Sequence, residues 1–142
     1  MSGTCIAAHA ANIPIFCTGG IGGVHRDYTD SMDVSADLHE LSRTPVAVVS
    51  SGIKSILDIQ RTLEYLESLG VCVYTLAKNG SKELPAFFTS HSGYEAPYNC
   101  RDEAEAAKII HTNLNTGLNM GMLIGEFNLL LIHINVYNVS LK

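Results

Sequence analysis

Lys54 is the residue with the clearest chemical potential. It follows the β-branched run Val46-Ala47-Val48-Val49 and the break Ser50-Ser51-Gly52. An apolar run of that kind reads as a buried parallel strand, and open α/β sheets bind ligands at the carboxyl ends of their strands. A helical pattern follows, so the sequence puts Lys54 where a strand hands over to a helix. Near a helix start the positive end of the macrodipole disfavours an ammonium group, and partial burial acts in the same direction. A neutral amine there is a nucleophile able to form an imine with a sugar aldehyde. The plainer alternative is a solvated lysine on the first helical turn, and the residues alone leave both open.

Two further stretches carry suitable groups. In Asp33-Val34-Ser35-Ala36-Asp37, Ser35 can cap a helix over 36–42, because its hydroxyl can accept a free amide of the first turn. Asp33 then lies outside that helix and Asp37 inside its first turn. Two carboxylates flanking a serine could bind a hard cation and sugar hydroxyls; the plainer alternative is ordinary charge complementing the helix dipole. In Thr18-Gly19-Gly20-Ile21-Gly22-Gly23-Val24-His25-Arg26, four glycines in five residues let the backbone approach a neighbour closely or adopt positive φ. A phosphate or substrate cradle is the functional reading. The run is neither G-x-G-x-x-G nor a P-loop, so a purely structural turn stands beside it. His25 and Arg26 are both able to bind anions.

The elements that must position these groups alternate. Ser2 to Ala11 suits a helix closed by Asn12, and Ile13 to Cys17 a strand. Asp27 to Met32 is polar and loop-like. After the helix over 36–42, Thr44-Pro45 ends it and the central strand over 46–50 begins. Asp58 caps a helix reaching Leu69, with Ile59, Leu63 and Leu66 on its apolar side, Arg61, Glu64 and Glu67 solvated, and Gly70 as its stop. Val71 to Leu76 is a strand. Ala77 to Cys100 reads as irregular; its aromatics Phe87, Phe88, Tyr94 and Tyr98 suit an active-site cover or a subunit contact. Asp102 caps a helix over 103–114, with Glu105 in the capping-box position, and Gly117 ends it. Gly121 to Gly125 is a last strand. Such alternation predicts an α/β fold, a mostly parallel sheet with helices on both faces. Residues 1–125 form one unit, and the apolar run within 126–142 has a different character.

Composition narrows the function classes. With 142 residues and 46% hydrophobic content the chain can bury a real core. A net charge of -5 and the lack of a basic patch argue against a nucleic-acid partner. No stretch of about 18 apolar residues predicts a membrane span, and no secretory signal is visible. Cys5, Cys17, Cys72 and Cys100 form no C-x-x-C pair and read as free thiols of a reducing compartment.

Taken in order, Thr18 to Arg26, Asp33 to Leu38 and Ser51 to Asp58, followed by Arg61-Thr-Leu-Glu-Tyr-Leu-Glu67 and Pro85-Ala-Phe-Phe-Thr89, resemble the pseudouridine-5'-phosphate glycosidase family. The resemblance runs from about Gly3 to Gly125. It implies cleavage of the C–C glycosidic bond of pseudouridine 5'-phosphate to uracil and ribose 5-phosphate, with a divalent cation, typically manganese. It also implies a cytoplasmic homo-oligomer, trimeric in the family, or a mitochondrial one where a longer form carries a transit peptide. Lys54 matches the imine-forming lysine, Asp33 the metal ligand, and Ser35, Ala36 and Asp37 the substrate-binding segment. Thr18 and His25 fall in the glycine-rich segment lining the site. The chemistry agrees with the residues: a C–C bond to an aromatic base breaks when a lysine–sugar imine forms and the base is protonated at its attachment carbon.

The resemblance also implies an incomplete form. The family's acid, a glutamate, and a second substrate-contacting lysine lie upstream of the equivalent of Gly3, and the family continues beyond Gly125 where this chain has the unrelated segment 126–142. The α/β/α domain is thus truncated, and weak or absent activity is expected. Two other readings remain from the residues: a non-catalytic sugar-phosphate-binding or subunit-associating fragment, and another imine-forming lyase such as an aldolase. Uracil release separates the glycosidase from the aldolase.

Overall fold

The computed structural model describes residues 1–127. The remainder of the apolar segment that the sequence sets apart, 128–142, lies outside the described residues. Ten elements follow one another: α1 (Ser2–Ala10), β1 (Ile15–Thr18), α2 (Tyr28–Ser31), α3 (Ala36–Leu41), β2 (Ala47–Ser50), α4 (Ile59–Ser68), β3 (Cys72–Leu76), β4 (Tyr98–Cys100), α5 (Glu103–Asn115) and β5 (Met122–Gly125).

The strands form a single sheet in the order β1-β2-β5-β3-β4, and every pairing is parallel. The register brings the carboxyl ends together: Thr18 pairs with Ser50, Ser50 with Gly125, and Gly125 with Thr75. Side chains alternate across the sheet, as strand geometry requires. Val48, Val73 and Leu123 face a core shared with Cys5, Leu38, Leu41 and Leu66 of α1, α3 and α4. Ala47, Val49, Met122 and Ile124 face Ala106 and Ile110 of α5. Helices therefore cover both faces, and the central strands are apolar on both sides for that reason.

The predicted caps hold. Ser35 Oγ accepts the Asp37 N–H (3.2 Å), Asp58 Oδ1 the Arg61 N–H (3.0 Å) and Asp102 Oδ1 the Glu105 N–H (2.7 Å). Asn12 has φ 56 and Gly70 φ 75, the left-handed conformations that close the helices before them. The Glu105 carboxylate departs from the expected capping box, because it accepts the Arg101 N–H (2.8 Å) and the Arg101 guanidinium instead of the cap residue's own amide.

Two segments differ from the sequence reading. Asp27 to Met32 contains the single turn α2, closed by the Met32 N–H on Tyr28 O (2.8 Å) with Met32 at φ 54. A polar turn this short has no periodicity to reveal it. Within the stretch read as irregular, Tyr98–Cys100 joins β3 as the edge strand β4. It lacks β-branched residues, and long-range contacts hold it instead: Tyr98 lies against Tyr74 (ring centroids 5.1 Å apart) and the Asn99 amide donates to Thr75 O, Ala77 O and Ser81 O. All four cysteines are free.

Candidate active site

The pairing of β1 with β2 does not stop at the strand ends. The Ser51 N–H donates to Gly19 O (2.6 Å), the Ile21 N–H to Gly52 O (3.0 Å) and the Lys54 N–H to Ile21 O (3.2 Å). Ile21 and Ile53 are both fully buried beneath this extension. The glycine-rich turn and the lysine segment are thus zipped side by side at the carboxyl edge of the sheet. The turn is held on its other side too. The Ser35 N–H donates to Gly23 O (3.0 Å), the His25 N–H to Asp33 O (3.0 Å), and the Asp58 N–H to Val24 O (2.9 Å).

Those glycines serve close approach, and their φ values are not positive. A side chain at Gly22 would collide with Ser35 Oγ, and one at Gly20 would lie 2.9 Å from the Phe87 ring and 3.1 Å from Lys54 Cγ. Gly52 is the conformational exception, with φ 90 and the Pro85 carbonyl pressed against its Cα. That contact, with the Phe87 N–H donating to Ser51 O (2.7 Å), lays the aromatic loop after β3 over the site.

Lys54 itself is placed differently from the expectation. Helix α4 begins only at Ile59, so Lys54 sits on a loop five positions earlier and outside the reach of a helix dipole, which acts within the terminal turn. The helical pattern starts late because Asp58, with its extended backbone, is the cap. The Lys54 side chain is exposed, and its amine has no hydrogen-bond or ion-pair partner among the described residues. Its loop is nevertheless anchored, by the Arg26 guanidinium on Ser55 O (2.8 Å) and by the Leu57 N–H on Lys54 O (3.0 Å).

The two carboxylates have separate surroundings. Asp37 is buried and accepts the Gly22 N–H (2.8 Å) and the Ser2 N–H (2.8 Å), with the Met1 amino group at 3.4 Å. Burial raises its carboxyl, but those amides and the amino group outweigh burial and hold it below the usual carboxylate range. Asp33 points outward, 58% exposed, with Oδ2 3.6 Å from His25 Nε2. Ala36 is exposed at the start of α3, and Thr18 ends β1 opposite Ser50. The structure therefore brings Thr18, the glycine turn, His25, Asp33, Ser35, Asp37 and Lys54 to one edge, through the hydrogen bonds described above. Among the described residues no group of three or more His, Cys, Asp or Glu could hold a metal ion; Asp33, with acceptor capacity to spare, suits a single-carboxylate site in which water fills the rest.

Thr62 is a positioning residue that periodicity does not reveal. It lies on the apolar face of α4, fully buried, where its Oγ1 donates to Asp58 O (2.6 Å) and accepts the Val24 N–H (2.9 Å). A threonine among the leucines of an apolar face is the one available signal. Three of the four cysteine thiols are held away from the thiolate form. Burial, with Glu40 and Asp37 adding to it, pushes the Cys5 thiol up to about 11. Burial likewise raises Cys17, and raises Cys100 to about 11. A cavity of about 610 Å³ opens farther along the same edge, but Glu83, Glu103 and Glu126 in its lining outnumber Lys78, which does not suit a phosphorylated ligand.

Residues 1–127 match the family model described as indigoidine synthase A like protein. The chain is 52% identical over 126 residues to a pseudouridine-5'-phosphate glycosidase of Caldanaerobacter subterraneus subsp. tengcongensis, covering 89% of this chain and 40% of that protein. It is 48% identical over 123 residues to one of Arabidopsis thaliana, covering 87% and 36%. Among solved structures it resembles the prealnumycin C-glycosynthase AlnA in complex with ribulose 5-phosphate (TM-score 0.78, 37% identity, 86% of this chain and 39% of that one). An indigoidine synthase A (IdgA)-like protein from Thermotoga maritima is similar as well (TM-score 0.76, 34% identity, 87% and 40%). The chain thus spans about 40% of the length of the first curated relatives it matches.

Proposed function

Since this chain belongs to the family of indigoidine synthase A like proteins, we propose that it carries part of a site for cleavage of the C–C glycosidic bond of pseudouridine 5'-phosphate, with Lys54 as the imine-forming residue. One observation carries the reading: a lysine whose amine is unengaged among the described residues stands on an anchored loop at the carboxyl edge of a parallel sheet, against the glycine turn. The names of the relatives support the substrate, a phosphorylated sugar joined to a planar base.

The Lys54 amine forms a bond to C1' of the sugar while the C1'–O4' bond breaks and the ring oxygen takes a proton. The nitrogen lone pair then makes the imine as the bond from C1' to the base breaks; the electron pair goes to the base, and a general acid, which the resemblance puts outside the matched segment, protonates its attachment carbon. Water hydrolyses the imine, releasing ribose 5-phosphate and the free amine. Asp37 does not blunt the nucleophile, because its carboxylate is engaged by the Gly22 and Ser2 amides. We assign Asp33 to a divalent cation such as manganese, with His25 beside it. When bound, the cation would offset negative charge on substrate oxygens. Thr18, Ser35 and Ala36 line the approach, and Asp37 shapes it through the Gly22 amide. The reading includes self-association as a homo-oligomer, checked by sedimentation.

The test is borohydride reduction of the full chain with ribose 5-phosphate, followed by peptide mass mapping. A reduced adduct on the peptide carrying Lys54, absent from Lys54→Ala, is expected. An adduct on another lysine, or none, overturns the reading.

A further inference from the structure

We infer that Phe87 is a specificity-determining residue of this site: its ring forms the wall on which the planar base of the substrate stacks. The inference rests on the reading of Lys54 as the imine-forming residue.

Three observations converge on Phe87. Its backbone has φ 64, a region that bulky residues rarely enter and that persists where the surroundings impose it, often at ligand sites. The surroundings here are the Phe87 N–H on Ser51 O and the neighbouring bridge between Ala86 and Gly52. Second, the ring rests on bare backbone. A methyl group at Gly19 would lie 2.8 Å from Phe87 Cε2, and one at Gly20 would lie 2.9 Å from Cδ2 and Cγ and 3.1 Å from Lys54 Cγ. The ring and the lysine stem therefore flank the same point on the glycine turn. Third, Phe87 is half-buried and belongs to neither apolar core; its aromatic neighbour is Phe88, 78% exposed, with ring centroids 4.3 Å apart.

A fold-filling aromatic would be expected inside one of the cores, in relaxed backbone. This one is instead held beside the nucleophile with part of its surface open. The carbon that Lys54 attacks carries the base directly, so a base attached there comes within reach of the Phe87 ring. Stacking on an aromatic ring is tolerant of base identity and needs no hydrogen-bonding groups.

The experiment compares two ligands of the full chain, pseudouridine 5'-phosphate and ribose 5-phosphate, by the concentration giving half-saturation in calorimetric titration, with borohydride trapping of ribose 5-phosphate on Lys54 run in parallel. Only the first carries a base. Phe87→Ala and Phe87→Leu are expected to raise that concentration about tenfold for the base-bearing ligand and to leave ribose 5-phosphate nearly unchanged. Phe87→Tyr, which keeps the ring, is expected to behave as the unaltered chain. Equal shifts for both ligands mean that Phe87 only supports the loop, and overturn the inference; so does no shift for either, or a Tyr variant that resembles Ala. Absence of any Lys54 adduct in the unaltered chain overturns the parent reading and removes the inference with it, an outcome distinct from the others.

Discussion

The Asp37 carboxylate accepts the Gly22 amide at 2.8 Å, so the first turn of α3 holds the glycine turn that runs beside Lys54. The same carboxylate takes the Ser2 amide and thereby ties the start of α1 to both. Asp37→Asn removes the charge from a buried set of charge-assisted hydrogen bonds and is expected to lower stability by about 1–3 kcal/mol, measured by urea unfolding. The Asp37 carboxyl is held below its ordinary value of 3.8 by those amides in spite of burial. Its contribution is therefore present above that value and lost as the pH falls through the folded-state value. Between about pH 5 and pH 2 the unaltered chain is expected to lose more stability than Asp37→Asn; equal losses would remove Asp37 from the account of acid sensitivity.

Thr62 joins α4 to the glycine turn through a single oxygen. Thr62→Val keeps the shape but leaves the buried Val24 N–H without its partner. A loss of about 1–3 kcal/mol is expected, read as a lower midpoint in chemical denaturation.

Gly52 combines φ 90 with the Pro85 carbonyl lying where a side chain would begin. Gly52→Ala is expected to lose about 1–3 kcal/mol from the backbone conformation alone, and more from the displaced carbonyl. Thermal unfolding measures the total, and unchanged stability would mean that the loop over the site is not held by this contact.

Lys54 is exposed and its amine is unengaged among the described residues. Lys54→Ala is expected to change stability by less than about 0.5 kcal/mol while abolishing the trapped adduct. A large fall in the denaturation midpoint would show a structural role that the geometry does not contain.

Asp33→Asn is expected to weaken manganese binding by about tenfold or more, since even changes to residues that only hydrogen-bond a metal ligand typically cost about 10–100-fold in affinity. Its outward-facing side chain leaves the fold unaffected. Titration with manganese, followed by electron paramagnetic resonance of the free ion, reads the affinity; an unchanged value would remove Asp33 as a ligand.

Much of the architecture is legible in the chain itself, because the forces that set it act over a few residues. Caps at Ser35, Asp58 and Asp102 bind amides two or three positions on, and the β-branched runs around Val48 and Val73 announce strands buried on both faces. The ordered motifs from Thr18 to Thr89 also carry the family resemblance. Tertiary structure decided the rest. It inserted β5 between β2 and β3, recruited Tyr98–Cys100 as an edge strand, and laid the loop carrying Lys54 against the glycine turn. It also settled why the glycines are there: they make room for Ser35 and for the Phe87 ring. Those outcomes depend on surfaces meeting from distant parts of the chain, and no local spacing encodes which surfaces will meet.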